Sequence, residues 1–161
     1  MKTKQEGEKP REITVYDILK VLSRSNFNTQ SIVGVSEFCP FHSARRIDAY
    51  AYNTKATWGY EIKISRKDFT NDGKWKEYLQ YCNYFYFVAP EGLINKSELP
   101  ERIGLIEVSW HMNWENNNYL TSEVIKRAKR LSEISSKNMD RIQKGLIFKL
   151  VYNKNLLKAE I

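Results

Sequence analysis

The sequence predicts a single α/β domain, and three observations carry that prediction. A chain of 161 residues suits one core rather than two. Period-two and continuously apolar runs combine with helical-period stretches in the order helix, strand, strand, strand, helix, strand. Turn-forming stretches such as CPFHSA and NTKA separate the runs, and no repeat, low-complexity block or linker divides the chain.

Each element has its own justification. Residues 1–11 are polar, mixed in charge and aperiodic, so they are expected to form a flexible tail ahead of a domain over 12–161. A helix is expected over Thr14–Ser23, where Val15, Ile18, Leu19 and Leu22 recur at helical spacing and Thr14 can cap. In SIVGVSEF, Val33, Val35 and Glu37 share one parity, which is a strand pattern with an acid in line with apolar residues. Arg46–Tyr52 and Thr57–Ile64, joined by Asn53–Ala56, read as a β-hairpin. From Asp72 to Asn83, Trp75, Tyr78, Leu79 and Cys82 fall at i, i+3, i+4 and i+7, an amphipathic helix. The apolar run Tyr84–Ala89 and the run IGLIEV at 103–108 read as buried strands, with a polar loop over 91–102 between them. A loop rich in tryptophan and asparagine follows. A helix is then expected from Thr121 or Ser122 to about Gln143, within a C-terminal helical extension over about 121–161. The stretch from Gly145 onward is compatible with strand or helix.

Composition narrows the class. With 42% apolar residues the chain can bury a core, which excludes general disorder. A net charge of +7 favours a polyanionic partner. Seven basic and two acidic residues between Val124 and Lys144 place a local +5 on the expected C-terminal helix. No apolar run is long enough to span a bilayer and the first residues lack a signal-peptide core, so no membrane partner and a cytoplasmic location are expected. Two cysteines, Cys39 and Cys82, suit free thiols in a reducing compartment.

The chemistry concentrates on the hairpin. Residues two apart on a strand share a face, so Glu61 and Lys63 are neighbours. If Asn53–Ala56 joins the strands in simple register, Tyr52 faces Thr57 and Asp48 faces Glu61, with Cβ atoms about 5 Å apart. Opposed like charges destabilise a sheet, and a hard divalent cation resolves the repulsion. Mg²⁺ or Mn²⁺ held by Asp48, Glu61 and the Ile62 carbonyl, with Lys63 beside it, implies hydrolysis of a phosphodiester. On spacing alone, a surface ion pair between Lys63 and one of the acids explains the pattern as well.

The flanks of that hairpin carry a family resemblance. RRIDAYAYN, followed by GYEIKISRKDFTNDGKWKEYLQYCNYFYFVAP, resembles the MmcB-type DNA-repair proteins of the PD-(D/E)xK nuclease superfamily. The positions that match are Arg45, Arg46, Asp48, Glu61, Lys63, Ser65, Arg66, Asp68, Phe69, Lys74, Trp75, Tyr78, Cys82 and Pro90. Similarity extends over about residues 33–108. The resemblance implies a restriction-endonuclease-like core, a central mixed sheet with a β-hairpin active site flanked by helices. It makes Asp48 and Glu61 metal ligands and Lys63 the catalytic lysine. Ile47 replaces the proline of the superfamily's name, Asn83 stands where the family pattern has an acid, and nothing after residue 110 aligns.

Further candidates follow from chemistry. Glu37 is a candidate third carboxylate for the metal, the alternative being a solvated strand acid. Arg46, Arg66, Lys67 and Lys74, with Lys126, Arg127 and Arg130 on the expected basic helix, are candidate contacts to DNA phosphates. Cys39, His42, Cys82 and His111 would satisfy tetrahedral Zn²⁺ by count, but Cys82 sits at an apolar helical position. Trp110, Trp114 and Tyr119 can stack on bases or serve as lid and core. The expected function is a metal-dependent deoxyribonuclease in repair or mobile-element processing, acting on single-stranded, nicked or branched DNA. The alternative is a non-catalytic nucleic-acid-binding or regulatory protein of the same fold, and a homodimer is left open.

Overall fold

The computed structural model describes residues 10–25 and 32–152. Residues 1–9 of the expected tail and residues 153–161 of the expected C-terminal extension lie outside the described residues. Helix α1 spans Val15–Ser25 and buries Ile18 and Leu22 of the expected stripe, but Val21 takes the third buried place, while Val15 is exposed and Leu19 half-buried. Its start is firmer than a simple Thr14 cap. The Asp17 carboxylate accepts from the Thr14 N–H at 2.9 Å and from both Arg11 guanidinium nitrogens at 2.6 and 2.7 Å. That pairing, against the cost of burial, holds the carboxyl well below its usual range. Arg11, placed in the flexible tail by its polar surroundings, is therefore part of the domain.

Six strands form one sheet in sequence order: β1 Val33–Phe38, β2 Ile47–Tyr52, β3 Thr57–Ile62, β4 Tyr84–Pro90, β5 Gly104–Met112 and β6 Asn118–Lys126. β1, β2 and β3 pair antiparallel, β4 lies parallel to both β3 and β5, and β6 closes antiparallel on β5. Side-chain alternation divides the sheet into two faces. One carries Val35, Tyr50, Phe85, Phe87 and Leu105; the other carries Ala49, Ala51, Ile62, Val88 and Val108 beneath α1. Both parallel crossovers pass over the first face, since Tyr78 and Tyr81 of one and Ile94 and Leu99 of the other join the same core. Strand order advancing in one direction with right-handed crossovers requires this.

The first crossover differs from the expected α-helix over 72–83. A short helix α2, Arg66–Asn71, is capped by Ser65, whose Oγ accepts from the Asp68 N–H at 3.2 Å. A 3₁₀ helix, Lys74–Tyr81, follows. Its threefold period stacks Trp75, Tyr78 and Tyr81 on one side. Trp75 lies parallel to Phe85 and edge-on to Phe87. The aromatic spacing of three, rather than the i, i+4 pairs, decides the helix type.

Of the expected helix from Thr121 to Gln143, only residues 136–143 are helical, within a later helix. Residues 118–126 form β6 instead, Lys126 ends that strand, and Arg127 and Arg130 lie in the irregular segment after it. The physical reason is tertiary: β5 runs on to Met112 and presents an unpaired edge, and residues 118–126 complete it from Met112↔Asn118 down to Leu105↔Lys126. The tryptophan- and asparagine-rich loop is thus largely hairpin. Its tip is a turn in which Asn113 Oδ1 accepts from the Glu115 and Asn117 N–H groups.

Helix α3, Ser136–Tyr152, begins after Ser135, whose Oγ accepts from the Asn138 N–H at 3.2 Å. It makes the stretch from Gly145 to Tyr152 helical. Gly145 faces β1: a Cβ there would meet the Cys39 carbonyl oxygen at 2.6 Å and Phe38 at 3.2 Å. Gly145→Ala should therefore destabilise by about 1–3 kcal/mol despite alanine's better helix propensity. A denaturation midpoint equal to or above that of the wild type would show that α3 shifts freely.

Candidate active site

The hairpin register is the one expected, with Tyr52 opposite Thr57, Ala51 opposite Trp58, Tyr50 opposite Gly59 and Ala49 opposite Tyr60. One more step sets Asp48 against Glu61. An Asp48 carboxylate oxygen accepts from the Ile62 N–H at 2.9 Å, which ties the two strands where the ladder ends. The Lys63 N–H then donates to the Val88 carbonyl at 2.9 Å, so the backbone stays locked to β4 through the lysine.

Both members of the Glu-x-Lys pair are buried. Lys63 donates through Nζ to Glu61 Oε1 at 3.0 Å and to Asp72 at 2.7 Å, and Asp68 stands 3.6 Å away. Burial opposes the charge, but the hydrogen bonds that Lys63 donates to Asp72 and Glu61 outweigh it and raise the ammonium above its ordinary range. Lys63 is thereby charged at neutral pH. Asp72 moves the other way: burial opposes its charge, but the Lys63 ammonium and the Lys74 N–H stabilise it and lower its carboxyl.

Glu61 is the anomaly. It is 6% exposed, and its Oε2 has no hydrogen-bond partner. Burial first, and the Asp48 charge second, push its carboxyl up to about 8 despite the adjacent Lys63. Asp48 is raised as well, chiefly by burial, against the stabilising Ile62 N–H. Two carboxylates that both resist ionisation, one with an unsatisfied oxygen, match the donor set of a hard cation. The same cleft is lined by Lys63, Asp68, Asn71, Asp72, Lys74 and Tyr78. Burial, then the charges of Glu61, Asp72 and Asp48, raise the Tyr78 phenol to about 12.

The remaining sequence candidates separate into groups. Glu37 falls on the β1 position opposite Asp48, but with φ of 48° it turns its carboxylate to Arg46 at 3.2 Å. Among the described residues, no group of three or more His, Cys, Asp or Glu is arranged to hold a metal, so the candidate donors are the Asp48–Glu61 pair with the Ile62 carbonyl. Arg66 makes a two-pronged pair with Glu98 at 2.9 and 2.7 Å and donates to the Leu93 carbonyl. It ties α2 to the second crossover. Lys67 is exposed on α2, and Lys74 lies in the cleft. Lys126 donates to the Leu99 and Pro100 carbonyls, whereas Arg127 is exposed and Arg130 lies 5.9 Å from the Tyr84 ring.

The zinc set does not assemble. Cys82 is fully buried under Gly59, Cys39 and His42 occupy the turn after β1, and His111 stands on β5 beside Ser109. Trp110 donates through its indole N–H to the Arg11 carbonyl, a structural tie; Trp114 is 89% exposed at the hairpin tip, and Tyr119 is exposed on β6. Asn83 sits at the far end of β3 from the cleft. Its Oδ1 accepts from the Thr57 N–H at 3.0 Å, a contact a carboxylate oxygen makes equally well. Asp72 and the role of Asp68 were missed by sequence reasoning. The signal available was the spacing Lys63 to Asp72, visible only if the chain folds back after Ser65.

Comparisons with known proteins agree with the sheet and with the sequence pattern. A search of curated proteins finds no match. Among solved structures, a protein of unknown function from Silicibacter pomeroyi superposes with a TM-score of 0.63 at 19% identity, over 89% of this chain and 96% of that one. That likeness is one of fold. A model of the family described as DNA repair protein MmcB-like matches residues 14–138, from the start of α1 to the start of α3 and across the whole cleft. The chain belongs to the MmcB-like family of DNA repair proteins.

Proposed function

We propose that this protein is a divalent-metal-dependent nuclease of the PD-(D/E)xK type that hydrolyses phosphodiester bonds in DNA. The observation that carries the reading is the buried, unpartnered Glu61 Oε2 in a cleft that also holds Lys63, with Asp48 on the adjacent strand. The order of elements from α1 through β4 supports the restriction-endonuclease-like core, and the family supports DNA as the substrate.

Asp48 and Glu61, with the Ile62 carbonyl, would hold Mg²⁺ or Mn²⁺, which supplies a Lewis acid for the phosphoryl oxygen and lowers the pKa of a bound water. The chain's own residues supply the rest. Lys63 presents a fixed positive charge where negative charge develops on the phosphate. Asp72 orients that ammonium from the side away from the strand. Lys74, at the rim of the cleft, is placed to meet a backbone phosphate.

The test is cleavage of a panel of single-stranded, nicked, branched and duplex DNA with Mg²⁺ or Mn²⁺. The wild type should cut at least one member, and Asp48→Asn should cut none above background while melting as a folded protein. Equal cleavage by the two proteins would sink the catalytic reading and leave a non-catalytic DNA-binding protein.

A further inference from the structure

Among the described residues, the second sheet face is only partly covered. Helix α1 packs Ile18, Val21 and Leu22 over Ala51, Ile62, Val88 and Val108, and ends at Ser25. Beyond it lies a groove lined by Ile32, Trp58, Tyr60, Tyr86, Ile106 and Val124. Trp58 and Tyr60 of β3 and Tyr86 of the parallel β4 give it an aromatic floor, and Tyr84 extends the array beside Trp58. Trp58 lies opposite Tyr84 and Tyr60 opposite Tyr86, and in each pair the ring planes are within 16° of parallel with centroids 5.9 Å apart. Trp58, Tyr84 and Tyr86 are only partly buried. Gly104 leaves room for the Tyr86 ring on β5: a Cβ there would run into that ring and would lie 2.9 Å from the Ala128 nitrogen.

The chain's densest run of positive charge borders this array. Residues 126–130 read KRAKR, four basic residues and no acid. Because these residues are not helical, they cross the end of the sheet: the Lys129 N–H donates to the Arg102 carbonyl just before β5, and the Leu131 N–H to the Asn83 carbonyl just before β4. The segment therefore passes the ends of the strands that carry Tyr84 and Tyr86. Arg130 comes to rest beside the Tyr84 ring. Lys126 and Lys129 also pair within the fold, with the Leu99 and Pro100 carbonyls and with Glu101, which fixes the segment in place.

We propose that this face docks single-stranded DNA, with unpaired bases stacked against the partly exposed Trp58, Tyr84 and Tyr86 rings, which the buried Tyr60 ring backs, and phosphates along Lys126–Arg130. Aromatic platforms with a basic border take unpaired strands because every base has a π-face, while a duplex hides those faces in its own stack. The aromatic array explains why single strands are selected, and the basic border explains the affinity and its salt dependence. The choice of DNA rests on the DNA-directed part of the proposed function, not on cleavage. The platform lies on the face opposite the Asp48–Glu61 cleft, so it holds a strand without occupying the cleft.

The experiment is fluorescence anisotropy in EDTA, where no metal-dependent cutting occurs, with a labelled oligothymidylate of about 12 nucleotides, a duplex of equal length and an oligouridylate. The wild type should bind the oligothymidylate most tightly, with quenching of tryptophan emission. Tyr84→Leu and Trp58→Leu should each weaken that binding roughly tenfold or more and leave duplex binding unchanged. Arg127→Ala with Arg130→Ala should flatten its salt dependence. Tyr84→Leu keeps the test decisive if Trp58→Leu does not fold. Unchanged oligothymidylate binding by folded variants, quenching that survives in Trp58→Leu, or tighter binding of oligouridylate would each overturn the platform. A wild type that binds no DNA at all would overturn the platform and the DNA-directed reading together, whereas binding without cleavage in the metal assay would remove only the nuclease.

Discussion

Glu61→Gln is expected to abolish metal-dependent cleavage while making the metal-free protein more stable above neutral pH. The side chain's folded carboxyl sits at about 8, against an ordinary value of 4.5. Between those values the folded state holds a proton that the unfolded chain has released. Stability therefore falls as pH rises through this window and levels off above about pH 8. The loss is on the order of 3–5 kcal/mol, since a one-proton difference between the two states is worth about 1.4 kcal/mol for every pH unit it spans. Glutamine does not titrate, so the variant's melting temperature should be flat where the wild type's declines. A divalent cation does the reverse for the wild type: it requires the ionised carboxylate, so Mg²⁺ or Mn²⁺ should raise the melting temperature more at pH 8.5 than at pH 6. That gain should vanish in Glu61→Gln, and cleavage should fall roughly a hundredfold or more. Parallel pH curves for the two proteins without metal, or an equal thermal shift with metal, would count against Glu61 as the ligand.

Lys63→Met is expected to destabilise the domain strongly. Its ammonium joins two acids, Glu61 at 3.0 Å and the Asp72 carboxylate at 2.7 Å, and the residue is 3% exposed. Removing it leaves buried acids facing each other, a change that typically costs about 3–5 kcal/mol. For a domain of this length that is a fall in melting temperature of roughly 10 °C. Glu61 can relieve part of the cost by keeping its proton, so the loss should be smaller at pH 6 than at pH 9. Adding Asp72→Asn to Lys63→Met should recover part of the stability without restoring cleavage. A single variant that melts with the wild type at both pH values would mean the ammonium is not held as the geometry indicates.

The two experiments separate structure from chemistry because the two residues fail in opposite directions. Glu61 is unfavourable to the fold when charged, and Lys63 is favourable to it. The buried, unpartnered Glu61 Oε2 adds nothing to the fold's stability, which is in keeping with the proposed metal site.

What the sequence determined by itself is everything that depends on neighbours along the chain. Alternation along 46–52 and 57–62 dictates the hairpin, and a four-residue turn dictates its register, so the Asp48–Glu61 opposition and the Glu61–Lys63 adjacency are legible in the residues alone. Helical spacing identifies α1, and the apolar run at 84–89 identifies β4.

What only the tertiary structure decided is where two elements distant in sequence compete or meet. A helix is expected to begin at Thr121 or Ser122, and the open edge of β5 made residues 118–126 a strand instead. The basic residues after them accordingly cross the sheet end rather than line a helix. The partners of Lys63 and of Arg66 were equally hidden, because Asp72 and Glu98 reach them only after the chain has crossed over the sheet. Periodicity records which side of an element is buried. It carries no information on which unpaired edge, or which buried charge, that element will be required to satisfy.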